Sequence, residues 1–587
     1  MAVFKPILAL LALSILSLSS NAYITSIHVP AVITNKNIGN LTMVELNVTS
    51  GHGGVQVNGP ASVDLDTIAS AQTAAAYAAS FLGLNEKSYN FNYTIEDSSL
   101  NVSGPSGGLA FTLLAVAALE HVQLAQNFTA TGTISLNGSV GLIGGITDKS
   151  AAAAAGGMRF ILVPYSSNDT LEALLYYVSQ QKYRIPLVEV SNVSQALPYA
   201  LGQKSPSMLS LNLTQTFHAG AIGDSNISCT SCNTSAFGNL VNSTFNFTNS
   251  TIASIPNNFS FAKQQLEADL GNYRKLAGNG FLYTAADLSF LSFINAFALA
   301  NSNNYTTTAA ANLLSNVSDY CSSLIPPPMT TNNYEFVVGG RLRQYWANIT
   351  LANAEQQLAN EETTDDIAAS IYTAASAVGW CRAASQLYSI ASYMGGDYVQ
   401  VSPSLRASAA SAINRARNYG SSIYLQSALQ AYNDGDYATA LYATAYADSF
   451  GPSAPNVSTP QLYSKTLANI MRATNGTWPS QFASQAEFYF RQAVISNGTA
   501  ERSYANQAYS TSLLAVNLES ADGTISSSFI VSNSSQSAAG LSRQLGNIEQ
   551  EISQIYSIML VNAALLLVVL VVLLVRILPG GKPRRRR

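Results

Sequence analysis

The first part of the chain alternates short stretches of two-residue hydrophobic period with longer stretches of helical period. In Thr42–Thr49, apolar and polar side chains alternate, which is typical of a half-buried strand. Leu65–Leu84 has apolar residues at helical spacing, and Leu109–Ala125 is apolar nearly all round, which predicts a buried helix. Further strands are predicted at residues 51–59, 90–96, 131–136, 160–164 and 186–190, and further helices at 149–155, 171–181 and 193–201. This alternation favours an α/β (α+β) fold for residues 23–204.

The pattern becomes almost wholly helical between residues 258 and 520, where Ala, Leu and Tyr dominate. Helices are predicted at residues 261–276, 285–300, 340–360, 364–394 and 405–419. Leu425–Ala447 indicates a helix–turn–helix spaced like one tetratricopeptide-like hairpin, with Asn433–Asp436 at the turn. No strict period repeats, so we interpret the region as an all-α domain of helical hairpins, with a true solenoid as the alternative.

Two further segments have neither period. Residues 205–257 are dense in Ser, Thr, Asn and Gly, which predicts a linker or loop-rich insert. Residues 521–554 begin Ser-, Gly- and Asn-rich and are predicted to form a stem. The chain therefore divides into an α/β domain, a linker, a helical domain and a stem.

Both ends of the chain carry long apolar runs. Residues 1–22 contain Lys5, an apolar run and small residues before Tyr23, as in a secretory signal peptide, with an uncleaved anchor as the alternative. Ile555–Val575 is apolar and about 20 residues long, enough to cross a bilayer as a helix. The basic tail, residues 576–587, stays cytoplasmic by the positive-inside rule. These features predict a single-pass protein of the cell membrane with its N-terminal ectodomain outside.

The composition agrees with an exported protein. Charged residues make up only 10% of the chain and hydrophobic residues 48%, so other polar residues must hydrate the surface. Roughly twenty Asn-X-Ser/Thr sequons between Asn40 and Asn533 predict a glycoprotein, although an Asn-, Ser- and Thr-rich chain also produces sequons by chance. The net charge is −4, with no basic patch outside the tail, which argues against nucleic acid as a partner.

The four cysteines, Cys229, Cys232, Cys321 and Cys381, fit an oxidising compartment and allow three pairings. Cys229 and Cys232 have the spacing of a redox or metal half-site, but neither a second such pair nor a histidine cluster completes a zinc site. We predict a local Cys229–Cys232 disulfide, a Cys321–Cys381 disulfide and no bound metal.

Candidate chemistry lies in the glycine-rich segment Gly104-Pro-Ser-Gly-Gly108 and in Lys149, which closes a second glycine turn 43 residues after Ser106. A serine hydroxyl becomes a nucleophile when a base takes its proton, and a lysine serves as that base when burial lowers its pKa well below about 10.4. Small and apolar neighbours surround Lys149, as burial requires. Taken singly, each residue is better explained by an ordinary role: Ser106 as an N-cap serine in a glycine turn, and Lys149 as a solvated lysine of a first helical turn. Only the two residues taken together, within the series of motifs given below, favour a catalytic role.

Supporting groups also lie beside Ser106. Ser106 opens the predicted helix Leu109–Ala125, whose N-terminal N–H groups and positive dipole end suit a developing oxyanion. Gly104, Gly107 and Gly108 allow the backbone to approach a substrate carbonyl closely.

Taken in order, the motifs of residues 42–201 resemble the proteolytic domain of the Lon protease family. The matching motifs are Gly53–Gly59, Gly104–Gly108, Thr131–Ile134, Gly138–Lys149 and Phe160–Pro164. The resemblance implies that Ser106 is the nucleophile, that Lys149 is the general base and that Thr131 is a hydrogen-bond partner of this lysine.

This sequence departs from the family at two points. Many relatives have Ala after the serine and Asp three positions before it, where this chain has Gly107 and Ser103. Asn101–Ser103 is itself a sequon, and a glycan there would crowd the cleft. The sequence contains no Gly-x-x-x-x-Gly-Lys-Ser/Thr phosphate loop, so we expect cleavage of peptides or flexible segments without ATP or another cofactor. Lon proteases assemble into rings, so a homo-oligomeric ring stays open.

One other nucleophile pattern fits the same residues. Gly104–Gly108 matches the nucleophile elbow of α/β-hydrolases, but the only histidine far downstream is His218, in the loop-rich insert. We therefore favour a membrane-anchored serine endopeptidase with a Ser106–Lys149 dyad that cuts polypeptides on the extracytoplasmic side. The alternative is a catalytically inert Lon-fold surface glycoprotein that binds partners, or acts as a scaffold, through its helical domain.

Overall fold

The computed structural model describes residues 23–33, 37–59, 63–96, 104–166, 169–211, 223–227, 234–452, 456–473 and 475–531. The predicted signal peptide (1–22), transmembrane helix (555–575) and basic tail (576–587) lie outside the described residues, and the stem is described only to residue 531. Also outside are Asn101–Ser103, His218 and the predicted pair Cys229 and Cys232.

A mixed β-sheet forms the centre of the N-terminal α/β domain. Its strands and those of a small separate hairpin are, in chain order, β1 (Tyr23–Ile33), β2 (Ile38–Ser50), β3 (Val55–Asn58), β4 (Tyr89–Ile95), β5 (Phe128–Ala130), β6 (Thr133–Ile134), β7 (Val140–Gly141), β8 (Phe160–Pro164) and β9 (Leu187–Val190). The sheet order is β3-β4-β2-β1-β5-β8-β9, and β6 pairs with β7. β2 pairs antiparallel with both β1 and β4. β3 runs parallel to β4. On the other side of β1, the strands β5, β8 and β9 follow one another in parallel.

Short helices cover this sheet and carry the candidate site. They are α1 (Leu65–Phe81), α2 (Gly108–Glu120), α3 (Ile146–Ala155), α4 (Thr170–Tyr183) and α5 (Val193–Ala200). α2 is buried continuously from Gly108 to Ala118, as its uniformly apolar sequence predicts. α1 packs on α2 through small side chains, because four of its alanines are fully buried: Ala71, Ala74, Ala75 and Ala78.

The rest of the described chain is almost all helical. Its helices are α6 (Thr234–Ala253), α7 (Ser260–Gly278), α8 (Leu282–Asn301), α9 (Thr307–Ser322), α10 (Tyr334–Ala359), α11 (Thr364–Ser392), α12 (Leu405–Ala416), α13 (Ile423–Asn433), α14 (Tyr437–Phe450), α15 (Thr459–Arg472), α16 (Thr477–Ile495) and α17 (Gly498–Ser527). Two short strands, β10 (Val399–Val401) and β11 (Phe529–Val531), pair antiparallel beside them. The predicted order of an α/β domain followed by a helical region is confirmed.

Two predicted features of the helical region are also present. α13 and α14 form the helical hairpin predicted at Leu425–Ala447, with Asp434 and Gly435 in the turn between them. The Cys321–Cys381 disulfide is confirmed and ties α9 to α11.

Three local predictions are wrong. The linker predicted at 205–257 contains α6, which buries Phe237, Leu240 and Val241 although its sequence is rich in Asn, Ser and Thr. The strand predicted at 131–136 is broken, because the residues at 131 and 132 lie between β5 and β6. The predicted stem begins too early, since α17 continues to Ser527.

By length and hydropathy, one helix of the described residues could cross a membrane: the stretch Leu282–Asn304, which includes α8. In this structure, 72% of its most apolar window is buried inside the protein. α8 is therefore placed as a core helix of the helical region.

The two regions share one hydrophobic core. Ile161 and Leu174 of the α/β domain belong to the same cluster of buried side chains as Phe259 and Leu266 of the helical region. The ring of Tyr177 on α4 lies 6.0 Å from that of Phe259. The helical region thus packs directly on the domain that carries Ser106 and Lys149.

Candidate active site

Ser106 lies in a tight turn that leads into α2. Pro105–Gly107 forms one 3₁₀ turn, and α2 begins at Gly108. Gly104 has a φ of +98°, a left-handed conformation that favours glycine. A Cβ on Gly108 would lie 2.7 Å from both Ile134 Cγ2 and Ser70 Oγ, so only glycine allows this close packing.

The start of α1 holds the backbone of this turn. The Asp64 carboxylate accepts from the N–H of Thr67, which caps α1, and from the N–H of Gly104 at 2.9 Å. Thr67 Oγ1 donates to the Gly104 carbonyl at 3.2 Å, and Ser70 Oγ donates to the Pro105 carbonyl at 3.1 Å. These three residues were not among the predicted site residues, although the Asp64-x-x-Thr67 spacing is a helix-capping signal.

The other side of the turn is held by the segment that follows β5. The Ser106 carbonyl accepts from the N–H of Gly132 at 2.8 Å and from Thr131 Oγ1 at 3.3 Å, and the N–H of Leu109 donates back to the Gly132 carbonyl. Thr131 is fully buried. In this structure its hydroxyl therefore orients the backbone of Ser106, and its predicted contact with Lys149 is not among the hydrogen bonds of the described residues.

Lys149 lies in the first turn of α3 and is only 4% exposed. Burial lowers its pKa to about 8, against the opposing attraction of the Asp365, Glu172 and Asp148 carboxylates. Lys149 therefore meets the electrostatic requirement for a general base near neutral pH.

The side chains of Ser106 and Lys149 are not hydrogen-bonded to each other in the described part of the chain. Ser106 is partly exposed, whereas Lys149 is enclosed rather than solvated. Hydrogen bonds between catalytic groups are often long without substrate and shorten when substrate binds. Their assignment as a dyad stays a prediction that the burial of Lys149 supports.

The Asp148 side chain is turned toward the helical region. Asp148 and Lys149 are neighbours in the first turn of α3. The Asp148 carboxylate accepts from the N–H of Thr364 at 2.9 Å and from its hydroxyl at 2.6 Å. Its effect on the Lys149 pKa is the smallest of the three carboxylates.

The presence of glycine at position 107 has a steric explanation in this chain. A Cβ at position 107 would lie 3.2 Å from the ring tip of Phe111, one turn further along α2. Phe111 is buried and its ring centroid lies 5.2 Å from that of Tyr93. The aromatic filling behind the serine turn therefore favours glycine where many relatives have alanine.

A cavity of about 480 Å³ lies in the helical region, away from these residues. The Asp287 carboxylate lines it and accepts from Gln485 Nε2 at 3.0 Å, and burial raises the pKa of Asp287 to about 6. Aromatic side chains form much of its wall: Phe290, Trp346, Trp380, Tyr424, Tyr446 and Phe450. Concave, mostly aromatic surfaces with a few polar groups are typical of ligand sites.

Comparison with known proteins finds a family model that matches the α/β domain. Residues 28–203 match the model of the Lon protease (S16) C-terminal proteolytic domain. The Lon protease of Neorickettsia sennetsu is 28% identical over 183 residues, which is 30% of this chain and 21% of that protein. The Lon protease of Buchnera aphidicola subsp. Schizaphis graminum is 28% identical over 167 residues, or 28% of this chain and 21% of that protein. This chain thus spans about a fifth of these curated relatives, and the predicted resemblance is confirmed for this domain.

Proposed function

We propose that this chain, whose residues 28–203 form a proteolytic domain of the Lon protease family, is a serine endopeptidase with Ser106 as nucleophile and Lys149 as general base. The observation that carries the proposal is the burial of Lys149, which lowers its pKa to about 8 inside the matched domain. Burying an ammonium group costs stability, so a lysine without a functional role normally stays at the surface and keeps its charge in water.

The proposed reaction is acyl transfer followed by hydrolysis. The neutral Nζ of Lys149 takes the hydroxyl proton of Ser106 while Oγ attacks the peptide carbonyl carbon. The lysine then gives this proton to the leaving amine, and an ester on Ser106 remains. Water attacks the ester, its proton passes through Lys149 to the departing Oγ, and the acid product leaves. Substrate binding must first bring Nζ and Oγ within hydrogen-bond reach.

The N-terminus of α2 is suited to the tetrahedral oxyanion. No side chain caps α2 at Gly107, so the positive end of the helix dipole is not neutralised by a local carboxylate. The turn that carries Ser106 is fixed on both sides by backbone hydrogen bonds, which keeps it oriented before substrate arrives.

We further propose polypeptide substrates that are unfolded or flexible, because this sequence contains no phosphate-loop motif for ATP-driven unfolding. The apolar segment 555–575 and the basic residues after it motivate a single-pass anchor in the lipid bilayer, with the peptidase outside the cell. External protease added to intact cells would then degrade the α/β domain. Protection of this domain until the cells are lysed would refute the orientation.

The activity is tested with the full chain and a fluorescently labelled unfolded polypeptide. We expect Ser106→Ala and Lys149→Met each to lower kcat/KM about 1,000-fold or more, because the two groups act as one unit. The exposed residues Ser408 and Lys182 provide matched controls, Ser408→Ala and Lys182→Met, which should cleave like the wild type. Cleavage that persists in both site variants would rule out the dyad.

The alternative is an inert Lon-fold surface glycoprotein that binds partners or acts as a scaffold through the helical region, and the aromatic cavity beside Asp287 favours it. Under this alternative the wild type binds the unfolded polypeptide without cleaving it, and Trp380→Ala in the cavity wall abolishes binding. Cleavage that is lost in Ser106→Ala but retained in Trp380→Ala would favour the peptidase.

A further inference from the structure

We propose that Asp365, a residue of the helical region, is a positioning residue for Lys149, so that the helical region completes the active site of the α/β domain. The proposal rests on the function proposed for Lys149 and extends it to a second part of the chain.

The Asp365 carboxylate caps the helix that carries Lys149. It accepts from the N–H of Ile146 at 2.5 Å and from the N–H of Thr147 at 3.0 Å, the first two residues of α3. Asp365 is 219 positions further along the chain than Ile146, and its side chain is buried. A carboxylate that accepts two helix N–H groups fixes the direction of the helix start, and Lys149 lies in that same turn.

The contact is reciprocal. Asp148 of α3 accepts from the N–H and the hydroxyl of Thr364, the first residue of α11. Each helix therefore receives an acidic cap from the first turn of the other helix. Two such caps define the distance and the angle between α3 and α11, which a single contact would leave free.

α3 cannot obtain this cap from its own sequence. Its N-cap residue is Gly145, which provides no side chain and has a φ of +70°. A Cβ at this position would lie 2.5 Å from Val32 Cγ2 on β1. Ser, Thr, Asp or Asn, the usual N-cap residues, would therefore clash with the strand beneath it. The acceptor has to come from another element, and Asp365 is that acceptor.

α11, by contrast, has a cap of its own. Thr363 Oγ1 accepts from the N–H of Asp366, and the Asp366 carboxylate accepts from the N–H of Thr363, which completes a capping box. Asp365 is therefore not needed to begin α11. Its buried carboxylate serves α3, and burial raises its pKa above the usual range of an aspartate, so keeping it there costs stability.

The same carboxylate acts on the charge of Lys149. Three carboxylates raise the pKa of Lys149 in decreasing order: Asp365 on α11, Glu172 on α4 and Asp148 on α3. Burial and the positive N-terminal end of α3 act in the opposite direction. Removing the charge of Asp365 therefore lowers the Lys149 pKa further.

Glu172 of α4 also titrates near neutral pH, because burial raises its pKa to about 7. The other groups around this contact are apolar or are tyrosines whose pKa burial raises: Tyr176, Tyr183 and Tyr305. Val32 of β1 faces the start of α3 and Leu41 of β2 faces its end, and β8 is apolar along its length. Tyr183 of α4 faces both aspartates, and its pKa is raised to about 12 by burial and by Asp148 and Asp365.

The test compares Asp365→Asn with Asp366→Asn in the full chain. An asparagine side chain at position 365 keeps the size of the aspartate but offers one acceptor atom in place of two, and no charge. We expect kcat to fall about tenfold or more with little change in KM, because a displaced catalytic group lowers turnover rather than binding. The midpoint of the kcat–pH profile should move to lower pH by about half a unit or more. Asp366→Asn weakens the capping box of α11 and the bond from the Glu362 N–H, neither of which touches α3, and it should leave that midpoint unchanged.

A second measurement does not depend on activity. Amide hydrogen exchange of peptides that cover residues 143–153 should be faster in Asp365→Asn than in the wild type and unchanged in Asp366→Asn. Equal exchange in the two variants, or a pH midpoint that both shift alike, would overturn the positioning role. A wild type that cleaves nothing would instead refute the proposed function, and the exchange result would still decide whether Asp365 caps α3.

Discussion

At the scale of single residues, the folded environment of Lys149 changes its ordinary acid–base chemistry. Only 4% of it is exposed, and burial lowers its pKa to about 8 from 10.5. A lysine whose pKa is lowered by folding holds its proton less tightly in the folded chain than in the unfolded one. This gives two measurable consequences, one for activity and one for stability.

The first prediction concerns the pH dependence of cleavage. Lys149 acts as a base only when it is neutral, so kcat should rise as pH increases through about 8 and level off above it. The measurement is kcat against pH for the wild type between pH 6 and pH 10. A lysine at its ordinary pKa would instead give a profile that still rises steeply at pH 10.

The second prediction concerns stability. Below pH 8 the folded chain must hold a buried ammonium, so Lys149→Met should raise the free energy of unfolding at pH 7 by roughly 2–3 kcal/mol, since a tenfold change in proton affinity corresponds to about 1.4 kcal/mol. The gain should shrink as pH rises from about 8 toward 10.5, because the wild-type lysine then becomes neutral in both states.

Denaturant unfolding at pH 7 and pH 10 measures this difference. Lys182→Met, at an exposed lysine of α4, provides the control and should change stability little at either pH. A Lys149→Met variant that is less stable than the wild type at pH 7 would contradict the cost assigned to the buried ammonium.

At the scale of secondary-structure elements, the starts of the helices determine the geometry of the site. α2 and α3, which carry Ser106 and Lys149 at or near their N-termini, both begin after a glycine and have no local side-chain cap. The start of α2 stays open for a developing negative charge, whereas the start of α3 is capped by Asp365. The cap of α1, Asp64, also binds the serine turn through the N–H of Gly104.

The third prediction concerns this shared cap. Asp64→Ala should lower the free energy of unfolding by about 1 kcal/mol, the usual cost of losing an N-cap. It should also lower kcat, because the turn before Ser106 loses one of its hydrogen bonds to α1. Asp169→Ala, which removes the cap of α4, is a matched control and should lose similar stability while keeping kcat.

Steady-state kinetics and thermal unfolding of the two variants separate these effects. If both variants lose kcat in proportion to their stability, Asp64 has no special connection with the serine turn.

At the scale of the whole molecule, the α/β domain and the helical region are packed directly against each other. They share a hydrophobic core, and the Asp365 and Asp148 caps join them beside Lys149. The Cys321–Cys381 disulfide joins α9 to the middle of α11, the helix that carries Asp365 at its start.

The fourth prediction concerns this disulfide. It closes a loop with a sequence separation of 60 residues, so the double variant Cys321→Ser/Cys381→Ser should lose about 2–4 kcal/mol of stability. Because the regions share a core, circular dichroism and loss of cleavage should report the same, lowered midpoint temperature. Two separate transitions, with cleavage outlasting the helical region, would show that the α/β domain works alone.

Much of the fold was predictable because it follows from local periodicity. The apolar run of α2, the alternation in β2 and the repeated small and aromatic residues of α13 and α14 each determine their own element. α6 was missed because its many Asn, Ser and Thr residues indicate a loop. Its apolar residues are few, and they become buried only because α6 packs on α8.

The sequence by itself determined the resemblance of the first domain to the Lon proteolytic domain, and Ser106 and Lys149 as candidates at a fixed spacing. It allowed three cysteine pairings, of which the predicted Cys321–Cys381 pair is present. Only the tertiary structure decided that Asp64 holds the serine turn and that Asp365 caps the helix of Lys149. The reason is physical: periodicity and capping signals act over a few residues, whereas the Asp365 contact joins groups 219 positions apart. Such a contact exists only after both helices have packed and excluded water from the N–H groups between them.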